Sequence, residues 1–132
     1  MRRYLDWGFS ASTQHHIEVD RTRKTAVSEL ERYFKSFDAI VLPTTPQVVF
    51  SFSVPPPVNQ GAFSVLANMV GSPAISMPMG INDEELPIGL QIMVSNGEEQ
   101  RLLEVASSYE ASAALNLAPP PPFGPFAAAS AR

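Results

Sequence analysis

NMVGSPAISMPMGINDEELPIGLQ, residues 68–91, carries the clearest fold signal in the chain. Three glycines and three prolines separate its short apolar runs. Glycine allows positive φ, whereas proline fixes φ and removes a backbone donor. The pattern therefore predicts an antiparallel hairpin over residues 74–95, turning at the polar segment Ile81–Glu85. Pro78 falls inside the first of these strands, so that strand is predicted to be an edge strand or to carry a bulge.

Three helices are predicted around this hairpin. A long helix is expected from about residue 12 to 37, with Ser12 or Thr13 as its N-cap. Its apolar stripe follows the helical period and consists of Ala26, Val27, Leu30, Tyr33, Phe34 and Phe37. A short apolar helix over 62–70 is expected to end at Gly71. The last helix, 97–113, is expected to begin after an N-cap at Asn96.

Residues 39–42 read as a short strand with no polar face, which is typical of a parallel or mixed sheet covered on both sides. Pro43–Pro46 follows as a rigid loop, because a proline stands at each end. Gln47–Val54 partly alternates and is read as an edge strand or an extended loop. The order is helix, strand, helix, hairpin, helix, which gives an α/β fold over residues 1–117. The Pro/Ala-rich tail, 118–132, is predicted to be disordered.

Composition narrows the possible functions. The 132 residues contain no cysteine, which excludes disulfides, thiol nucleophiles and cysteine-ligated metals. The net charge of −4 and the lack of a basic stripe argue against a nucleic-acid partner. No apolar run is long enough for a membrane span, so a cytoplasmic location is expected. Tyr4, Trp7 and Phe9 make the first residues unusually apolar.

Few residues are candidates for chemistry. The adjacent histidines His15 and His16 would point about 100° apart on a helix, so we predict neither a metal site nor a cofactor. Ser72 and Ser76 could act as nucleophiles, but a nucleophilic serine needs a neighbouring base. A small serine hydrolase using Ser72 with His15 or His16 is one interpretation. The acidic run Asp83–Glu85 is better explained as solvated charge in a turn than as a general acid or base.

Four short segments of the sequence resemble those of a known protein family. They are FDAIVLPTTP at 37–46, NxxGxPAxSxPxG at 68–80, LPIGLQ at 86–91, and ExxLLxxAxxYE at 99–110. In this order and spacing they resemble the C-terminal segment of the amidase signature enzymes, over about residues 21–110. The resemblance implies part of a large mixed sheet wrapped by helices. It also implies an enzyme that hydrolyses or transfers amides through an acyl-enzyme.

The family's catalytic serine, its cis-peptide serine and its lysine lie in sequence that nothing here matches. The resemblance therefore assigns no catalytic residue to this chain. It does imply that Pro43–Pro46 lies near an acyl or leaving-group pocket, which makes Thr44 and Thr45 candidate pocket residues. The hairpin and the last helix are expected to be scaffold.

The preferred interpretation is a C-terminal fragment of an amidase-type hydrolase, inactive alone. Its expected partner is the missing N-terminal and central amidase portion, or a second copy bound through exposed apolar surface. The alternative is a non-catalytic interaction module derived from the same fold, using Tyr4, Trp7, Phe9, Phe50 and Phe52. A fragment cut from a large sheet leaves an edge and an apolar face uncovered, so aggregation, oligomerisation or a molten state is expected.

Overall fold

The computed structural model describes residues 2–115, with side chains from residue 5 onward. Four helices and three strands follow one another along the chain: α1 (Arg2–Ser10), α2 (Thr13–Phe34), β1 (Ile40–Pro43), α3 (Ser64–Val70), β2 (Ala74–Ile81), β3 (Pro87–Met93) and α4 (Glu99–Ala113). Residues between β1 and α3, including the segment 47–54, form a long loop without a strand. The helices and strands together confirm the α/β fold class. The tail predicted over 118–132 lies outside the described residues.

The three strands form one sheet in the order β1-β3-β2. Both pairings are antiparallel, with Ile40 opposite Met93 in one and Ala74 opposite Met93 in the other. The mixed sheet expected from the apolar run at 39–42 is therefore not found within the described residues. A strand needs two apolar faces only where both are covered, whereas β1 is an antiparallel edge strand whose Val41 side chain is 59% exposed. The run has no polar face, yet only one of its faces is covered here.

The two faces of the sheet pack against different helices. On one face, Ile92 of β3 and the adjoining Val94 pack with Leu102 and Ala106 of α4. On the other face, Met93 packs with residues of α2 and α3, chiefly Leu30 and Ala67. The alternation of β3 side chains between the two faces follows from the two-residue period of a strand. β3 is the central strand, and residues 91–94 are the most buried stretch of the described chain.

Helix boundaries follow local capping chemistry. The Ser12 side chain accepts a hydrogen bond from the His15 N–H at 3.2 Å, as an N-cap should. Gly71 ends α3 in the left-handed conformation, with φ of 76° and its N–H bonded to the Ala67 carbonyl. These two capping predictions agree with the structure. The long helix ends at Phe34, three residues earlier than expected, and Phe37 is 60% exposed.

Residues 2–10 form a separate helix, α1, for which no prediction was made from the sequence. One local expectation was wrong. Asn96 is not the N-cap of α4, because a turn in which Glu98 N–H binds the Ser95 carbonyl precedes the helix. Gly97 supplies the positive φ of 83° in that turn, and Glu98 occupies the N-cap position without a side-chain cap.

The hairpin turn is built around Asn82. Its side-chain oxygen accepts hydrogen bonds from the N–H groups of Glu84 at 3.0 Å and Leu86 at 2.8 Å. Such Asx bonding favours a tight turn, and Glu85 adopts a positive φ of 61° to complete it. The register shifts between Pro78 and Gly80, which marks an irregularity in the edge strand β2. The prediction of an edge or bulged position at Pro78 is consistent with this pairing.

Candidate substrate-binding cleft

A cleft of about 370 Å³ opens beside the end of the sheet where β1 gives way to the long loop. One wall is the loop that follows β1, and the opposite wall is the turn end of the hairpin. Its lining residues are Pro43, Thr45, Pro46, Gln47, Val48, Val49, Gln60, Met79, Pro87, Ile88 and Gly89. Its volume is near the lower end of the range of roughly 300–1,000 Å³ typical of small-molecule pockets.

The loop wall is shaped by three polar side chains. The Thr45 hydroxyl donates to the backbone carbonyl of Gln47 at 2.7 Å, which holds the turn after Pro43. The Gln47 side chain then donates through Nε2 to Oε1 of Gln60, which lies thirteen residues further along the loop. These bonds join the two ends of an otherwise irregular segment. Because Thr45, Gln47 and Gln60 are all partly buried, the bonds are partly shielded from water.

Thr44 lies next to the cleft and contacts the sheet instead. Its N–H donates to the Gly89 carbonyl at 2.8 Å, which continues the β1–β3 ladder. Its hydroxyl is 2.6 Å from the Ser76 hydroxyl, so a side-chain bridge joins the two outer strands across β3. Gly89 lies beneath this bridge: a Cβ there would be 2.6 Å from Thr44 Oγ1 and 3.1 Å from Ser76 Oγ. The absence of a side chain at residue 89 is what permits the bridge.

A buried carboxamide continues the polar row along β3. Gln91 is only 4% exposed, and its Nε2 donates to the Phe63 carbonyl at 3.3 Å. Phe63 immediately precedes α3. A buried polar side chain is tolerated when it is hydrogen-bonded, so Gln91 links the start of α3 to the sheet. Side-chain hydrogen bonds thus join the sheet and the start of α3 beside the cleft.

The other residues considered from the sequence do not converge on this cleft. Ser72 lies in the turn after α3, where its N–H binds the Ala67 carbonyl. His15 and His16 lie at the start of α2, and the His15 ring contacts Trp7 edge-on at 5.7 Å. The acidic residues 83–85 are exposed in the hairpin turn. In the part of the chain that the structure describes, neither Ser72 nor Ser76 therefore lies beside a histidine or lysine base.

Sequence reasoning missed Gln47, Gln60 and Gly89 as members of this region. The two glutamines are separated by a proline-rich loop, and no local pattern indicates that they meet. Gly89 was recognised only as a turn-permitting residue, although its φ is not in the left-handed region. Its role depends on contacts between residues 44 and 76, which are distant in sequence.

Among residues 2–115, no group of three or more His, Asp or Glu side chains is arranged to hold a metal ion. Within the same range, no helix combines the length and apolar character needed to cross a bilayer.

A family model described as Amidase matches residues 2–103. This chain belongs to the amidase family. The match covers more than half of the 132 residues and includes both walls of the cleft. The resemblance to amidase signature enzymes stated from the sequence blocks is confirmed.

Curated relatives support the same assignment. The A-subunit of glutamyl-tRNA(Gln) amidotransferase from Halothermothrix orenii is 35% identical over 106 residues, which is 77% of this chain and 22% of the relative. The corresponding protein of Legionella pneumophila strain Corby is 35% identical over 111 residues, covering 80% of this chain and 23% of the relative. The chain therefore spans less than a quarter of the length of these relatives.

Solved structures share the fold. The glutamyl-tRNA(Gln) amidotransferase A-subunit from Thermotoga maritima superposes with a TM-score of 0.66 at 26% identity, over 83% of this chain and 26% of that one. Native peptide amidase from Stenotrophomonas maltophilia gives a TM-score of 0.60 at 28% identity, over 80% and 21%. A bacterial aryl acylamidase of the amidase signature family gives 0.71 at 20% identity, over 84% and 25%, a likeness of fold alone.

Proposed function

We propose that this chain is the C-terminal part of an amidase-type enzyme that hydrolyses or transfers amides through an acyl-enzyme. In this proposal the chain supplies one wall of the substrate pocket, with Thr44 and Thr45 beside it, and the remainder of the enzyme supplies the nucleophile and base. The observation that carries the proposal is the family match over residues 2–103. The relatives are much longer, and the chain covers only 22% of the Halothermothrix orenii protein.

The surroundings of the serine and lysine side chains support the proposal that the chain is inactive without the rest of the enzyme. The Ser76 hydroxyl is engaged with Thr44, not with a base. The chain has two lysines, and Lys24 forms an ion pair with Asp20 at 2.6 Å on the exposed side of α2. Lys35 directly follows that helix. A serine without a neighbouring base is a weak nucleophile, so neither Ser72 nor Ser76 is expected to attack an amide.

The edge strands indicate where the remainder of the enzyme would dock. Since Thr44 N–H binds Gly89, alternation along the ladder points the backbone groups of Val41 and Pro43 away from β3. Among the described residues, no strand covers this outer edge of β1. On the opposite edge, the outward carbonyl of Pro78 accepts a hydrogen bond from the Tyr109 hydroxyl at 2.9 Å. The β1 edge is thus the more open of the two, and we assign the missing amidase portion to it.

Exposed aromatic side chains add a second surface. Trp7 is 64% exposed and Phe9 is 89% exposed on α1, whereas Phe52 is fully exposed in the long loop. Burying such side chains against the missing portion would contribute favourable free energy, about 25 cal/mol per Å² of apolar area. In its absence, the same surface favours association between copies of this chain.

Complementation tests the proposal. The Halothermothrix orenii relative, produced without its matched segment, would be co-expressed with this chain carrying an affinity tag. We expect the two polypeptides to co-purify and to release ammonia from a primary amide. The matched control is the same truncated relative expressed alone. Failure of the two parts to associate would count against the assignment to an amidase enzyme.

The alternative function is a non-catalytic interaction module that retains the amidase fold. The exposure of Phe9 and Phe52 is the observation that favours it. A module would associate with partners without restoring hydrolysis. The two functions are distinguished by whether the co-purified complex turns over amides, and an active complex would exclude the module.

A further inference from the structure

The cleft is surrounded by a long uncharged part of the chain. Residues 39–82 contain no Asp, Glu, Lys, Arg or His, although the complete chain has 13 acidic and 9 basic side chains. Most of the lining residues fall within this segment, and the rest are Pro87, Ile88 and Gly89. Consequently, no lining side chain can neutralise a charged ligand.

This charge distribution has a direct consequence for ligand choice. A carboxylate or an ammonium that enters an apolar cleft loses hydration, and an isolated charge recovers that loss only by pairing with an opposite charge. The prolines, valines and Met79 of the lining offer dispersion contacts and no counterion. An uncharged apolar group loses little hydration free energy of this kind and gains from burial.

The only long polar side chains in the lining are Gln47 and Gln60. Nε2 of Gln47 donates to Oε1 of Gln60. No other side-chain bond of either glutamine is found among the described residues, which leaves Gln47 Oε1 as an acceptor and Gln60 Nε2 as a donor. An amide group has the matching pair, one carbonyl acceptor and one N–H donor. The two glutamines could therefore hold the polar end of an amide while its substituent contacts the apolar lining.

We propose that this cleft selects uncharged carboxamides with a small apolar or aromatic substituent, and rejects ligands that carry a formal charge. The inference rests on the proposed function, because it assigns a substrate class to the same pocket wall. The cleft volume of about 370 Å³ leaves room for an aromatic ring together with its amide group.

Three ring-matched probes test the selection on the intact 132-residue chain. They are 4-fluorobenzamide, which is neutral, 4-fluorobenzoate, which is an anion, and 4-fluorobenzylamine, which is a cation at pH 7. Fluorine NMR titration measures the dissociation constant of each. We expect 4-fluorobenzamide to bind at least about tenfold more tightly than either charged probe, since the charged probes lose hydration and find no opposite charge in the lining. This measurement needs no turnover, so its outcome is independent of complementation.

Substitutions at Val49 distinguish the effect of a charged side chain on ligand binding from the effect of a change in side-chain shape. Val49 lines the cleft, and Asp and Asn have nearly the same size. We expect Val49→Asp to strengthen binding of 4-fluorobenzylamine about tenfold relative to Val49→Asn, because only the carboxylate supplies a counterion. Val58→Asp is the matched control, since Val58 is fully exposed in the same loop and outside the lining. It should leave all three dissociation constants unchanged.

Each outcome bears on the inference. Preference for the neutral amide, together with a gain of cation binding in Val49→Asp alone, would support it. Equal binding of the three probes would overturn it, as would no detectable binding of 4-fluorobenzamide. An identical response of Val49→Asp and Val58→Asp would also overturn it. If the selection holds while complementation fails, only the enzymatic role of the cleft is refuted.

Discussion

The hydroxyls of Thr44 and Ser76 lie 2.6 Å apart and join the two outer strands of the sheet across the central strand. Thr44 follows β1 and belongs to the loop that forms one cleft wall, whereas Ser76 lies within β2. Their contact therefore couples the position of the cleft loop to the hairpin. It also assigns a structural role to a serine that the sequence offers as a candidate nucleophile.

Gly89→Ala tests whether the bridge needs an empty space beneath it. The added Cβ would be 2.6 Å from Thr44 Oγ1 and 3.1 Å from Thr44 Cβ, so the bridge must move. We expect a loss of about 1–3 kcal/mol in unfolding free energy, as for other overpacking substitutions. Urea unfolding at low micromolar concentration measures it. Gly61→Ala is the control, since its new Cβ would meet nothing closer than 3.8 Å. Equal stability of the two variants would refute the steric role of Gly89.

A double-mutant cycle tests the bridge itself. Thr44→Ala and Ser76→Ala each remove one hydroxyl, and the hydrogen bond should give a coupling free energy of about 0.5–1.5 kcal/mol. Thermal and urea unfolding of the four proteins measure this coupling. Ser107→Ala, at an exposed position of α4, serves as the control for loss of a serine hydroxyl. Strict additivity of the Thr44 and Ser76 substitutions would show that the contact contributes nothing.

Tyr109→Phe tests the cover over the β2 edge. It removes only the hydroxyl that donates to the Pro78 carbonyl, and the ring can still pack against the α4 face of the sheet. We expect a loss of about 1 kcal/mol in unfolding free energy. Hydrogen exchange should also show that amides of β2 exchange faster while those of α2 do not. Unchanged exchange in β2 would mean that this hydrogen bond does not hold the edge.

Self-association is expected from the exposed aromatic surface of α1. The intact chain should elute as oligomers or aggregates, and the combined variant Trp7→Ser, Phe9→Ser should shift it toward monomer. Light scattering coupled to size exclusion measures the mass. Val58→Ser, at a lone exposed valine, should change nothing. A monodisperse monomer with a sharp cooperative melt in the unmodified chain would contradict this expectation.

Local chemistry made much of the fold predictable. Ser12, Gly71 and Asn82 each act within a few residues of their own position, and the hairpin and helices follow from them. The direction of β1 was predicted wrongly, because a run without a polar face is typical of a strand covered on both faces, whereas β1 is an edge strand with Val41 exposed. Helix α1 was missed because no N-cap residue precedes Arg2 in the sequence, and nine residues are few for a helix that is recognised by pattern alone.

The site was harder to anticipate than the fold. Thr45 was singled out through family resemblance, and the structure places it in the lining of the cleft. Its role in binding remains a prediction. Gln47 and Gln60 meet only because the loop between them folds back, and Thr44 meets Ser76 through pairing with β3. Such contacts depend on tertiary structure, and no short pattern in the sequence encodes them.

Ammonia release from a panel of primary amides tests whether this chain is a catalytically incomplete part of an amidase. The assay compares the purified chain with a chimera in which it replaces the matched segment of the Halothermothrix orenii relative. We expect turnover by the chimera, unchanged by Ser72→Ala, and none by the chain alone. Turnover by the purified chain that Ser72→Ala or Ser76→Ala abolishes would contradict the account.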